Sequence, residues 1–418
     1  MPLPPPRNPR AQADPVAIIG YGTAGVNALI ALRSSGYTGR VIVFSDHGTL
    51  PYSPILTSYY AGGQKTYEEC FPWDAEQLAA LNAEVRSDCP VTSLDPATRT
   101  ITTAQGALTY SKCVIATGAT PAAFGFPATS YKPLMLRTMD DAKRLRTTLA
   151  DPACKRVLVS GASMVALKTL EACLAQGKTV ELVGMNPHVL DMNALPEIAA
   201  RFEEHLRALG VVLRLGTTIK AVEEVDDARG KLRVTFANGE EGFYDEISVS
   251  HGMRCNLGFL AEGALKIDRA LVVDEFMRTS NPDVYAAGDV AQATELISGE
   301  KRIVGIWKNA AVQGAVAGSA IAAELAGRTP AAADAFAGSI SSNTIEVAGG
   351  LFISAGTMEI TPARHVDLRE RDGMLVAYIF EGERLVGFNL VTENAEEGGL
   401  AYDTGAMLTL RIMRGLQE

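Results

Sequence analysis

The chain lacks the cysteine and histidine patterns that mark a metal site or a disulfide framework. Its six cysteines, Cys70, Cys89, Cys113, Cys154, Cys173 and Cys255, include no Cys-x-x-Cys pair, and its five histidines include no His-x-x-x-His pair. No metal is therefore expected, and the thiols read as small buried residues of a cytoplasmic protein. Basic charge is also short, with 38 Lys and Arg against 48 Asp and Glu. That balance argues against nucleic acid as a partner, because phosphate backbones are held by clustered Lys and Arg. The longest weakly polar stretch, 314–323, meets Glu324 well short of the ~20 residues a bilayer span needs, so no membrane span is expected. The proline-rich start has no apolar signal core, and residues 1–14 read as a disordered tail.

What is present is apolar residue, 47% of 418, enough for two or three cores. The organising stretch is Val16-Ala-Ile-Ile-Gly20-Tyr-Gly22-Thr23-Ala24-Gly25, followed by the apolar Ala28-Leu-Ile-Ala-Leu32. It reads as strand, tight turn and helix. Gly20 permits the turn, Gly22 lets backbone approach a pyrophosphate, and Gly25 lets helix pack on strand, so that the helix start at Thr23-Ala24 faces the anion. A buried strand at 40–44 closes the unit. Asp46 follows it as a candidate for ribose hydroxyls, with a solvated turn acid as the alternative reading. Pro51, Tyr52 and Thr57 lie on the loop and short helix beyond, as cofactor neighbours or as lid packing. Residues 85–103 read as a small β-rich stretch. The chain returns through a strand ending in Ala116-Thr117-Gly118, small residues that let backbone come close to a bulky cofactor before Pro121 turns it away.

The pattern then restarts. A strand at 156–160 runs into Gly161-Ala-Ser163-Met-Val-Ala166, placed 161 − 20 = 141 residues after the first turn, which is an internal repeat of the dinucleotide fold. Ser163 stands where the central glycine should be, and Gly184 stands where an acid should hold a ribose. A third signal, Tyr285-Ala-Ala-Gly288-Asp289, is a strand ending in a carboxylate before a helix, and Trp307 opens a later helix. From about 334 the pattern changes to hairpins and a closing helix at 404–414. The fold expected is α/β, with two Rossmann-like domains and a C-terminal α+β domain. Residues 15–121 and 247–330 form a discontinuous first domain, 122–246 the second, and 334–418 the third.

In this order the motifs resemble the FAD-dependent pyridine-nucleotide disulfide oxidoreductase superfamily, of glutathione-reductase-like fold. Within it, Pro51-Tyr52, Arg137-Thr-Met-Asp-Asp-Ala142 and Trp307-x-Asn309-Ala310-x-x-Gln313-Gly314 are most similar to the rubredoxin reductases, the ferredoxin reductases of dioxygenase systems and nitrite reductase flavoproteins. The resemblance implies FAD on the first domain, with Asp289 on the ribityl chain and Trp307 flanking the isoalloxazine, and NADH or NADPH as cosubstrate at Gly161, Ser163 and Ala166. It also implies a small iron–sulfur partner such as a ferredoxin or rubredoxin, for which Lys143-Arg144-Leu-Arg146 is a candidate dock, a solvated helix face being the plainer reading. No side chain acts as a nucleophile: Ile55 stands where coenzyme A disulfide reductases carry their cysteine. Ser163 and Gly184 keep two alternatives open, a flavin oxidase or dehydrogenase subunit acting on an organic substrate and a non-catalytic flavin module. The C-terminal domain would make a homodimer or dock a redox partner, and another enzyme subunit is the alternative partner to the iron–sulfur protein.

Overall fold

The structure is a computed structural model describing residues 14–393 and 398–416. The expected tail lies outside the described residues except for Asp14, which accepts a hydrogen bond from Thr109 at 2.8 Å.

The strand Val16–Ile19 is buried on both faces and forms the centre of a five-stranded parallel sheet. Val41–Phe44 pairs on one side and Lys112–Ile115 on the other, with Glu84–Arg86 and Val284–Ala286 outermost. Continuous apolar runs suit strands covered on both faces, and burying each Val or Ile here contributes roughly 1.5–3 kcal/mol. The helix Thr23–Ser34 crosses Trp307–Leu325 at very short range. Side chains at Gly314 and Gly318 would strike the carbonyls of Ala24 and Ala28, so glycine is required for this approach. Glu84–Arg86 departs from expectation: it extends the parallel sheet instead of joining the antiparallel unit at Val91–Thr109. Three half-exposed residues carry no periodic signal, and the strand is held by the Arg86 guanidinium over Phe44 at 5.5 Å and the ion pair between Arg40 and Glu84.

The second sheet is also parallel, in the order Val212–Leu215, Thr179–Gly184, Arg156–Ser160, Glu246–Val249. Its turn repeats the first in detail, since Gly161 N–H donates to Val183 O at 2.8 Å as Gly20 N–H donates to Phe44 O at 2.8 Å. Two short strands, Ala119–Pro121 and Met253–Cys255, pair antiparallel where the chain leaves the first fold and returns to it.

The C-terminal unit is a five-stranded antiparallel sheet, Ser342–Val347, Gly350–Gly356, Arg384–Thr392, Met374–Glu381, Arg364–Arg371, and the helix Gly398–Gly415 covers one face. Alternation along Gly350–Gly356 sends Leu351 and Ile353 towards that helix and Phe352 into the core of the second fold. Buried Asn389 stitches the units together, accepting from Leu195 N–H at 2.7 Å and donating to Asn193 O at 2.9 Å. The edge strand Arg364–Arg371 carries alternating charge, which blunts an open edge and conceals a strand from pattern reading.

Candidate functional site

Gly20, at φ +108, sets the first turn; a side chain there would strike the Ala116 carbonyl, and one at Gly25 would strike the Gly20 carbonyl. At Gly22 a Cβ would meet nothing within 4 Å. Gly22 is also the N-cap of the 12-residue helix and supplies no side-chain cap, and the first backbone bond runs from Val26 N–H to Gly22 O at 2.9 Å. The N–H groups of the first turn therefore face outward. Beside them Thr23 Oγ1 is buried with no hydrogen-bond partner among the described residues. Open space, an uncapped helix end and an orphaned hydroxyl together fit the pyrophosphate of a dinucleotide.

The other two signals converge on this turn. Ala116 N–H donates to Ile19 O at 2.7 Å. Thr117 Oγ1 donates to Asn256 O at 2.7 Å, while Asn256 returns Nδ2 to Thr117 O at 2.9 Å and its backbone N–H to Gly118 O at 3.0 Å. Gly288 N–H donates to Gln313 Oε1 at 2.8 Å, and a Cβ on Gly288 would lie 3.2 Å from that of Ala24. Asp289 is held by Arg137, whose Nη2 donates to Oδ2 at 2.6 Å. Trp307 starts a 19-residue helix that also lacks a side-chain cap. Its Nε1 and the nearby Asn309 Oδ1 are buried without partners among the described residues. Trp73 stacks against Trp307 with centroids 6.2 Å apart. Tyr52, behind Arg137, has its phenol pushed up to about 12, by burial first and against the pull of the Arg137 charge.

Other expected residues make their contacts elsewhere. Asp46 is two positions past the strand Val41–Phe44, its carboxylate 73% exposed and 3.7 Å from His47. Ser45 is buried at the strand end and donates to His47 O at 2.8 Å. Pro51 is buried, and Thr57 spends its hydroxyl on Pro54 O at 2.7 Å. The candidate basic dock is largely consumed internally. Arg146 donates to Tyr60 O at 2.9 Å and lies over the Tyr60 ring, Arg144 donates to Lys132 O at 2.8 Å, and Lys143 pairs with Asp140. Arg137 and Gln313 stand in family-like runs, yet only the structure shows what they hold and that Asn256 reaches Thr117. Trp73 ends the aromatic and acidic 67–73 segment on the cofactor side of the sheet, and only the structure sets it against Trp307.

The second turn differs from the first in one decisive way. Ser163 is the N-cap of the helix Met164–Ala175, and its Oγ accepts from Ala166 N–H at 3.4 Å. The helix end caps itself, which leaves fewer N–H groups for a phosphate. A Cβ at Gly184 would lie 3.0 Å from that of Ala162, so an acid there would be crowded. At the carboxyl ends of neighbouring strands, His251 Nδ1–H donates to Phe124 O at 2.7 Å and its Nε2 accepts from Ser160 Oγ at 2.8 Å. Burial lowers the His251 pKa and keeps the ring neutral.

Two nucleotide-type folds in one chain, the first with three converging turns and an open helix end, define a flavoprotein-type oxidoreductase. The chain belongs to the pyridine nucleotide-disulphide oxidoreductase family, whose model matches residues 14–314, and FAD is its cofactor. It is 29% identical over 405 residues to the NADH-dependent phenylglyoxylate dehydrogenase subunit epsilon of Aromatoleum evansii, covering 95% of this chain and 91% of that one. It is 29% identical over 311 residues to the rubredoxin-NAD(+) reductase of Pseudomonas putida, covering 73% and 79%. The covalent putidaredoxin reductase–putidaredoxin complex shares the fold with a TM-score of 0.80 at 24% identity, over 95% of this chain and 93% of that one. No helix among the described residues is long and apolar enough to cross a membrane, and none of their His, Cys, Asp and Glu side chains group as a metal site.

Proposed function

We propose that this protein is an FAD-dependent NADH reductase that passes electrons through its flavin to a small iron–sulfur protein of ferredoxin or rubredoxin type. The observation that carries the reading is the convergence of Gly20–Gly25, Ala116–Gly118 and Gly288–Asp289 on one uncapped helix end. When bound, FAD supplies the two-electron to one-electron conversion. The protein's own residues bind and orient. The N–H groups at Thr23, Ala24 and Gly25 and the Thr23 hydroxyl receive the pyrophosphate, and Asp289, fixed by Arg137, receives ribityl hydroxyls. Asp46, exposed just past the end of the Val41–Phe44 strand, would receive the adenosine ribose of FAD. The Trp307 helix, uncapped at its start, would present its positive end to the ring system and favour negative charge there, and Trp307 would flank it. Ala116, Thr117 and Gly118, held by Asn256, shape the wall, while Pro51 and Thr57 close the loop above it. No side chain serves as nucleophile.

In this reading 15–121 with 247–330 holds FAD, 122–246 takes NADH through Gly161, Ser163 and Ala166, and 334–418 is a contact unit. Unpaired cysteines, all six among the described residues, support a cytoplasmic setting.

One observation favours a second reading, that the chain is the electron-transfer subunit of a larger dehydrogenase. The alignment to the epsilon subunit spans 95% of this chain, against 73% for the rubredoxin reductase. Leu400, Met407 and Leu410 lie exposed on the closing helix, which supports contact with another subunit or a second copy.

The test is anaerobic stopped-flow of the FAD-loaded protein at the flavin band near ~450 nm, mixed with NADH or NADPH. Rapid bleaching by NADH, with reoxidation by a reducible iron–sulfur protein, is expected. Full FAD occupancy with no bleaching by either nucleotide would sink the reading.

A further inference from the structure

The helix Leu56–Ala61 belongs to the first fold by sequence and to the second by packing. It continues the loop from Pro51, where Tyr52 lies behind the Arg137 that holds Asp289. Yet Ala61 is fully buried in the core of the second fold, and Tyr60 packs against that core. Arg146 holds the helix from one side, its guanidinium 4.6 Å from the centre of the Tyr60 ring and donating to Tyr60 O and Lys65 O. The segment beside one nucleotide site is thus seated in the fold that carries the other.

A second seam runs along Met164–Ala175, the helix that starts at the second glycine turn. Lys168 Nζ stands 4.0 Å from the centre of the Tyr59 ring. One turn on, Gly62 comes so close that a Cβ there would lie 3.2 Å from Ala172 Cα, and a further turn on, Gln176 Nε2 donates to Gly62 O at 2.7 Å. Lys168 is also paired with Glu171 and donates to Glu346 O at 3.1 Å, in the strand Ser342–Val347 of the C-terminal unit. Its side chain is only 15% exposed, and a cation over an aromatic face is held most firmly where water is excluded.

We propose that Tyr59, Gly62 and Lys168 are positioning residues for hydride transfer: their seam sets the distance and angle at which the second fold presents a nicotinamide to the flavin of the first. Each acts by fixing Leu56–Ala61 against Met164–Ala175, and none touches the reacting atoms. Hydride, two electrons with one proton, passes from NADH to the flavin and leaves NAD+; the seam itself exchanges neither proton nor electron. The inference rests on the reading that the protein is a flavoprotein reduced by NADH.

Two variants perturb the seam without orphaning Glu171. Tyr59→Leu removes the ring. Gly62→Ala keeps every charge, and alanine adopts the φ of −74 found at Gly62, but its Cβ must push Ala172 away by a few tenths of an ångström. In anaerobic stopped-flow the limiting rate of flavin bleaching by NADH should fall about tenfold in Tyr59→Leu and several-fold in Gly62→Ala, since a misplacement on the order of 1 Å costs up to about 100-fold. The NADH concentration giving half that rate should stay within about twofold, because the seam fixes geometry and makes no contact with the nucleotide. Tyr59→Phe, which keeps the ring, should rescue the rate. Apart from turnover, hydrogen exchange of the amides of 56–63 in the FAD-loaded protein should quicken in Tyr59→Leu and return to the wild-type rate in Tyr59→Phe. An unchanged limiting rate in Tyr59→Leu and Gly62→Ala, or a rate that falls only in proportion to lost FAD, would make the seam purely structural and overturn the assignment, with NADH reduction of the flavin still standing. Failure of NADH to bleach the wild-type flavin would remove the underlying reading, and the inference with it.

Discussion

Gly22→Ser separates the fold of the first turn from its ligand. Gly22 has φ −84 and ψ −170, and Ser163, its counterpart in the repeat, has φ −81 and ψ 171. Serine therefore fits the backbone at 22 without strain, and its Cβ meets nothing within 4 Å. Once there, its hydroxyl should accept from Gly25 N–H, as Ser163 accepts from Ala166 N–H. Replacing a glycine cap by serine stabilises a helix by only a few tenths of a kcal/mol. The loss is larger. Diverting one N–H from a phosphate removes a charge-assisted bond worth about 1.5–3 kcal/mol, which corresponds to a roughly 10–150-fold weaker Kd for FAD. Apoprotein melting should therefore be unchanged or slightly raised while FAD affinity collapses. Titrating apoprotein with FAD and following tryptophan emission reads the affinity, since both tryptophans stack beside the site. Gly20→Ala is the contrasting control and should fail at folding, because its Cβ collides with the Ala116 carbonyl at a positive φ. A Gly22→Ser protein that is stable and binds FAD within about twofold of wild type would refute the assignment of these N–H groups to the pyrophosphate.

Ser163→Gly runs the same argument in reverse. It should free Ala166 N–H, strengthen NADH binding by several-fold and lower the melting temperature only slightly, with NADH affinity measured by titration on the oxidised protein. Stability should also fall in mild acid. The folded pKa of His251 is depressed by burial, so below the unfolded value of ~6.5 the unfolded chain binds more protons than the native one. The contribution is fully present above that pH and is lost as pH falls through the folded pKa. Urea midpoints measured from pH 7.5 to 5 should show the decline, and a shallower decline in His251→Gln identifies its source; identical slopes would show that His251 is not the group responsible.

The glycine turns and the strands that feed them were legible because each depends on local chemistry: a positive φ at Gly20 and Gly161, small residues at Ala116-Thr117-Gly118, and apolar runs at buried strands. The α/β class and the repeat followed from those signals. Less was legible where the signal is cross-chain. Asn256 clamps a turn 139 positions away, and Arg137 holds Asp289 at a separation of 152, distances over which sequence order carries no geometry. The strand Arg364–Arg371 was hidden because an exposed edge strand needs no apolar period.

The sequence by itself determined that this chain makes two nucleotide-type folds and an added C-terminal unit, and that thiol chemistry has no cysteine at the expected place. Only the tertiary structure decided that the first helix end is open and the second is closed by Ser163, and that Lys143, Arg144 and Arg146 are engaged within the chain. The reason is physical. Backbone conformation is set by neighbours in the chain, whereas caps, ion pairs and ligand shape depend on which groups packing brings within about 3 Å of one another.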